Sequence, residues 1–170
     1  MGTVSASQDE TDFRRAFDQH YRDILAYAKR RSPITDAEDI AAETFAIAWR
    51  RWKAAPPDAV RPWLFGIARK VVANSNRSLR RRNRLSAKIS SFAEPAGSDI
   101  PFAEHADMVQ ALDTLSASER EIIRLHCWED LAVSEIAVAL RCSANAAGIR
   151  LHRAKRHLAQ ALATTSGGRS

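Results

Sequence analysis

The 170-residue chain is 45% apolar, with a formal charge of +6 and a sequence pI of about 9.9. That length holds one ordinary domain or two small ones, and the basic balance suits a polyanionic partner. No apolar run reaches the roughly 18 residues needed to span a bilayer, and residues Met1 to Asp12 lack the apolar core of a secretion signal. The two cysteines, Cys127 and Cys142, are too few for a disulfide framework. A cytoplasmic protein without membrane insertion is expected, with both cysteines reduced in or near a helical core.

The apolar spacing is helical throughout, and no strand-like alternation occurs, so the expected class is all-α. Phe13, Phe17, Tyr21, Ile24, Leu25 and Ala28 predict a first helix from about Asp12 to Arg31, ended by Ser32-Pro33. Residues 1–11 are expected to be disordered. Thr35 and Glu38 form a capping box for a second helix to Trp52, whose stripe is Ile40, Ala41, Thr44, Phe45, Ala48 and Trp52; Pro56-Pro57 stops it. Pro62 suits a first helical position. Trp63, Leu64, Ile67, Ala68, Val71, Val72 and Leu79 then carry a third helix into Arg80-Arg81-Arg82.

From about Asn83 to Glu104 the periodicity fails and Ser, Pro and Gly accumulate. A linker over 85–103 is expected between helical domains at 12–84 and 104–162. The second domain opens near Phe102 with Met108, Val109, Leu112 and Leu115. Ser116 and Glu119 make another capping box, leading into Ile122, Ile123, Leu125 and Trp128.

Two short periodic segments then meet at a polar turn. Ser134 to Leu140 forms the first, Arg141-Cys142-Ser143 the turn with Ser143 as cap, and the second carries Ala147, Leu151, Ala154, Leu158, Ala161 and Leu162 as one apolar stripe. This is a helix-turn-helix. Its other faces carry Asn145, Arg150, His152, Arg153, Lys155 and Arg156, and no acid follows Glu135, so the second helix lacks the counter-charges that a solvated surface helix interleaves. Residues 163–170 are an expected disordered tail.

Charge is unevenly spread. Ala59 to Ala93 holds nine Arg or Lys and no acid, and Ile136 to Ser170 holds six and no acid, whereas ten acids fall between Glu94 and Glu135. Two separated basic surfaces predict two nucleic-acid contacts.

Asp36-Ala37-Glu38-Asp39-Ile40-Ala41-Ala42-Glu43-Thr44-Phe45, Ala48-Trp49-Arg50 and Arg61-Pro62-Trp63-Leu64-Phe65-Gly66-Ile67-Ala68-Arg69 together resemble region two of the extracytoplasmic-function group of sigma-70 factors. Leu115 to Leu158, with Glu135-Ile136-Ala137 and Arg150-Leu151-His152-Arg153-Ala154-Lys155, resembles their region four. The resemblance implies a protein that binds core RNA polymerase, at the beta-prime clamp coiled coil and the beta flap, and directs it to promoter DNA. It places polymerase contacts on Asp39, Ala42 and Glu43. It places contacts with the minus-10 element on Arg61, Arg69, Lys70, Asn74, Arg77 and Arg80, with the loop Lys53 to Val60 capturing a flipped base and Trp63 assigned to packing. It places minus-35 contacts on Asn145, Gly148, Ile149, Arg150, His152, Arg153, Lys155 and Arg156.

Several positions depart from the family pattern. Ala42 stands where Gln is common, Lys70 and Ser75-Asn76 replace commoner Asn and His-Arg, and Gly148 and Ile149 replace basic or hydroxyl residues. The turn has Arg141 in place of Gly, and Ala132 replaces a Ser cap, with Asp130 expected to compensate. An anti-sigma factor is an expected partner.

Catalytic signatures are missing: no Gly-rich phosphate loop, nucleophile elbow or paired carboxylates occur. His126, Cys127, Cys142, His152 and His157 lack the paired spacing of a zinc site. Neither metal nor cofactor is expected, and the protein is not expected to be an enzyme. The alternative left by the residues is a self-sufficient helix-turn-helix regulator that binds its operator alone as a dimer.

Overall fold

The computed structural model describes residues 3–32, 36–86 and 105–167, and every regular element among them is helical. The chain divides into two units, Met1–Gly97 and Ser98–Ser170.

In the first unit, α1 (Thr3–Lys29), α2 (Ala37–Arg50) and α3 (Val60–Ser86) pack pairwise, with a short 3-10 turn at Trp52–Ala54 after α2. Each helix turns its apolar stripe inward: Ile24, Tyr27 and Ala28 from α1, Ile40, Ala41, Phe45 and Ala48 from α2, and Leu64, Phe65, Ala68 and Val71 from α3 are buried. Full burial of one such large side chain is worth about 1.5–3 kcal/mol, so this shared core holds the three helices together. Thr44 lies within it and is satisfied locally, its Oγ1 donating to the Ile40 carbonyl at 2.7 Å. At the rim the Phe13 ring meets Phe45, Trp49 and Trp52, and Trp52 meets the half-buried Trp63 with centroids 6.2 Å apart. Trp63 therefore packs, as its place in the stripe indicates.

The helix limits differ from those predicted by apolar spacing. α1 starts at Thr3, nine residues ahead of Asp12, because its first turns are held by polar i,i+4 contacts that apolar periodicity does not register. Gln8 Nε2 donates to Asp12, Arg14 pairs with Glu10 at 3.0 Å, and Thr11 Oγ1 donates to the Ser7 carbonyl. α2 begins after Asp36, which makes no side-chain cap, and Thr35 of the expected capping box lies outside the described residues. α3 begins at Val60, which makes Pro62 its third residue; a proline is tolerated there because first-turn amides have no intrahelical acceptor. It also runs on to Ser86, past the expected end at Arg82.

His20 of α1 is half-buried near the ion pair between Arg61 Nε and Asp23 Oδ2, 3.0 Å. Burial lowers its pKa below the ordinary 6.5; Asp23 opposes that shift and Arg61 adds to it. A depressed folded-state value favours the neutral ring, so its stabilising contribution is present above pH 6.5 and is lost as pH falls through the folded-state value. Thermal unfolding of the full chain should show a midpoint that drops between pH 7.5 and pH 5, and His20→Gln should flatten that dependence. An unaltered slope in the variant would contradict this origin.

In the second unit, α4 (His105–Thr114), α5 (Ala117–Cys127) and α6 (Val133–Leu140) each pack against α7 (Ala144–Gly167). Ala111, Leu112, Leu115, Ile122, Ile123, Leu125, Leu131, Ile136, Ala139, Ala147, Leu151 and Ala154 form the core. The Ser116–Glu119 capping box is present: Ser116 Oγ accepts from the Glu119 amide at 3.3 Å, and the Ser116 amide donates to Glu119 Oε2 at 3.1 Å. Arg120, which no sequence motif singled out, closes α4 by donating to the carbonyls of Leu112, Asp113 and Leu115. Such carbonyls at a helix end otherwise lack partners. α7 continues to Gly167, five residues beyond the expected Leu162.

Candidate nucleic-acid interface and acidic docking face

The turn before α7 is built by local bonds. Arg141 is left-handed, φ 55° and ψ 49°, with its amide donating to the Val138 carbonyl and the Cys142 amide to Ala137 at 3.0 Å. This is a Schellman motif in which an arginine occupies the position glycine adopts without strain. Ser143 Oγ then accepts from the Ala146 amide at 3.1 Å, capping α7 as expected. At the start of α6 the compensation for Ala132 comes from Glu135, whose Oε2 accepts from the Ala132 amide at 2.8 Å, and not from Asp130, which is exposed with φ 52°. The carboxylate three residues into the helix is the half of a capping box that an alanine cap leaves available.

α7 divides into two faces. Ala147, Leu151 and Ala154 are buried, and Leu158, Ala161 and Leu162 are half-buried. Asn145, Ile149, His152, Arg153 and Arg156, three or four residues apart on the far side, are exposed; Arg150 and Lys155 are exposed on its flanks. Gly148 does not join this row: a Cβ there would meet Val133 Cγ1 of α6 at 3.7 Å, an ordinary contact. Glycine inside a helix costs roughly 0.5–1 kcal/mol relative to alanine. Gly148→Ala should therefore raise the unfolding midpoint by a few degrees. A midpoint that falls would show that α6 and α7 have no room for the methyl.

Three side chains tie this helix to its support. Lys155 Nζ donates to His126 Nε2 at 3.0 Å, while His126 Nδ1 donates to the Leu131 carbonyl at 3.1 Å, an arrangement that needs the neutral ring with its proton on Nδ1. His157 Nδ1 donates to Glu119 Oε1 at 2.6 Å. The Ser116 hydroxyl, then its amide, then His157 hold the Glu119 carboxyl below the ordinary carboxylate range. The Lys155–His126 and His157–Glu119 pairs have no sequence motif, since they join residues 29 and 38 apart. Cys127 is exposed at the end of α5, not in the core, because the stripe of Ile122, Ile123 and Leu125 turns the last residue outward; Cys142 is half-buried. No three His, Cys, Asp or Glu side chains cluster to hold a metal among the described residues.

On α3 the cationic candidates separate. Lys70, Asn74, Arg77 and Arg80 are exposed opposite the buried Leu64, Ala68 and Val71, and Arg81, four residues after Arg77, extends the same ridge. Arg61 lies instead on the inner side: it pairs with Asp23 and stacks 5.2 Å from the Phe65 ring. Arg69 is half-buried at the edge. Asn76 is also engaged internally, donating to the Arg31 carbonyl at 3.2 Å. The loop before α3 turns on bonds from Ala55 to Trp52 and from Ala59 to Pro56, with Lys53, Pro57 and Asp58 exposed.

α2 shows solvent a different character. Asp39, Ala42 and Glu43 are exposed, and Asp39 and Glu43 stand one turn apart opposite buried Ile40, Ala41, Phe45 and Ala48. Further along, exposed Trp49 joins Phe13 and Phe17 of α1, with Glu10 and Arg14, around an apolar groove of about 330 Å³.

A helix-turn-helix with an unneutralised outer face on one unit, and a basic ridge beside an acidic helix on the other, define a helical DNA-binding protein with a separate protein-docking surface. Residues 16–84 match the family described as Sigma-70 region 2, and residues 105–158 match Sigma-70, region 4. RNA polymerase sigma factor NccH of Alcaligenes xylosoxydans xylosoxydans is 34% identical, covering 91% of this chain and 88% of its own. The ECF RNA polymerase sigma factor SigL of Mycobacterium tuberculosis is 30% identical over 93% and 94%. Among solved structures, CnrH in complex with the cytosolic domain of CnrY is 27% identical with a TM-score of 0.64, covering 95% of this chain and 96% of that one. RpoE in complex with the anti-sigma factor NepR from Bartonella quintana shares the fold, at 23% identity and a TM-score of 0.64, over 89% and 96%. The chain belongs to the extracytoplasmic-function group of the sigma-70 family. It is a sigma factor that binds core RNA polymerase and directs promoter-specific transcription initiation, a function the autonomous-regulator alternative does not account for, since region 2 is present as well as region 4. No helix of the described residues is long and apolar enough to cross a membrane.

Proposed function

We propose that the work of initiation is divided among the three presented faces. Asp39, Ala42 and Glu43 of α2 dock on the beta-prime clamp coiled coil of core polymerase. The outer ridge of α3, Lys70, Asn74, Arg77, Arg80 and Arg81, tracks the phosphates of the melted minus-10 strand, while the loop Lys53 to Val60 takes a flipped base. Arg61 supports that loop from beneath through its ion pair with Asp23, and Arg69 reaches the strand only from the edge. The exposed row of α7 enters the major groove of the minus-35 element, with the second unit also meeting the beta flap. The observation that carries this reading is that all three faces lie opposite the buried stripes of their own helices, so none is needed for the core.

The protein acts in the cytoplasm as a non-enzymatic subunit without cofactor; catalysis belongs to the polymerase. An anti-sigma factor is its further partner. That assignment is supported by the complexes of CnrH with CnrY and of RpoE with NepR, and by the groove at Phe13, Phe17 and Trp49, an apolar surface of the kind protein partners cover.

Transcription with purified core enzyme on a randomised promoter library tests the function. Transcripts should require both proteins and share two spaced elements. Operator protection by the protein alone, without core-dependent transcripts, would overturn it.

A further inference from the structure

Ile149 is 55% exposed, more than the exposed apolar side chains Phe17, Trp49, Met108 and Val109. The others have apolar company: Phe17 and Trp49 join the aromatic cluster of the first unit, and Met108 and Val109 adjoin each other on α4. Ile149 has no large apolar neighbour on its own helix face. One turn away stand Asn145 and the half-buried Ala146 before it and the exposed His152 and Arg153 after it, and Gly148 beside it has no side chain. The core lies on the opposite side of the helix, so packing does not account for an isoleucine here. Charge and hydrogen bonding do not account for it either.

The major groove presents one apolar group among its donors and acceptors, the C5 methyl of thymine. An isoleucine is well suited to meet it. Branching at Cβ leaves essentially one χ1 rotamer in a helix, so the methyls are held in place before contact and little side-chain freedom is lost on binding. We propose that Ile149 is a specificity-determining residue that reads a thymine methyl at one position of the minus-35 element. The inference rests on the placement of α7 in the minus-35 groove, and it adds a base preference to that placement. Asn145 and Arg153 each stand four residues from Ile149, about 6 Å along the helix, which is less than two base-pair steps of about 3.4 Å. The thymine therefore lies within two positions of the bases or phosphates those two residues contact.

The test uses holoenzyme reconstituted with core polymerase and a promoter duplex selected from a library randomised at minus-35. Each thymine of the element is replaced singly by deoxyuridine, which removes the methyl and keeps the pairing. One position should lose about fourfold in affinity, the equivalent of one methyl-sized group buried. Ile149→Ala should abolish the thymine–deoxyuridine difference at that position alone, and Ile149→Val should keep most of it. Because the side chain is exposed, the unfolding midpoint of Ile149→Ala should match the wild type, which separates lost reading from lost fold. Full tolerance of deoxyuridine by the wild type, a penalty that persists in Ile149→Ala, or a selected element without thymine overturns the inference. If transversions in the element still weaken binding in those cases, the placement of α7 stands; if they too have no effect, that placement fails as well.

Discussion

Core polymerase is expected to stop co-eluting with the protein when Asp39 and Glu43 are both replaced by lysine. The two carboxylates stand one helical turn apart on the exposed side of α2, so both can face one basic partner surface. Breaking one charge pair at an interface costs about 2–5 kcal/mol, and reversal adds repulsion at both positions. The combined loss approaches a thousandfold in affinity if each contributes about 2 kcal/mol. Within the helix the change is small. Asp39 lies in the first turn, where a negative charge is worth about 0.3–1 kcal/mol, and neither residue touches the buried stripe of Ile40, Ala41, Thr44 and Phe45. Circular dichroism should therefore keep its helical signal while size-exclusion chromatography shows two separate peaks. Unchanged co-elution would place the docking face elsewhere.

Arg153 and Lys155 should part company in a second experiment of comparable effect. Arg153 lies in the exposed row one turn beyond Ile149, and a guanidinium placed there would suit a guanine edge, which accepts two parallel hydrogen bonds. Arg153→Ala should cost about 1–3 kcal/mol and relax preference at one minus-35 position. Lys155 lies on the flank with its ammonium fixed by His126 at 3.0 Å, a position suited to phosphate. Lys155→Ala should weaken every promoter alike and lower the slope of log affinity against log salt by about one. Binding of both variants to a panel of minus-35 sequences at several salt concentrations distinguishes the roles. A uniform loss for Arg153→Ala would remove it from base reading, and neither variant changing affinity would return both to simple solvation.

The two presented faces at issue were legible as patterns before they were seen as surfaces. Apolar residues at helical spacing place Ala147, Leu151 and Ala154 inside, and that alone puts Asn145, Ile149 and Arg153 outside. The stripe of Ile40, Ala41, Phe45 and Ala48 likewise leaves Asp39 and Glu43 outside, whereas their docking role is implied by the family resemblance alone. Gly148 shows where this logic stops: its spacing leaves it beside the outer row, yet the vacancy on its Cα faces Val133, a residue of another helix. Arg61 stops it more firmly, since nothing in a basic segment discloses that Asp23, 38 residues earlier, has claimed the guanidinium.

By itself the sequence determined the all-helical class, the helix-turn-helix, the Ser116–Glu119 box and the Ser143 cap, because each is written in contacts no more than four residues apart, where chain geometry alone sets who meets whom. Only the tertiary structure decided which side chains found partners on other helices. It paired Arg61 with Asp23, Lys155 with His126 and His157 with Glu119, and it turned Cys127 to solvent. Those choices depend on how the helices cross and rotate against one another, and that packing is settled by the summed burial of many apolar side chains and not by any residue's neighbours in sequence.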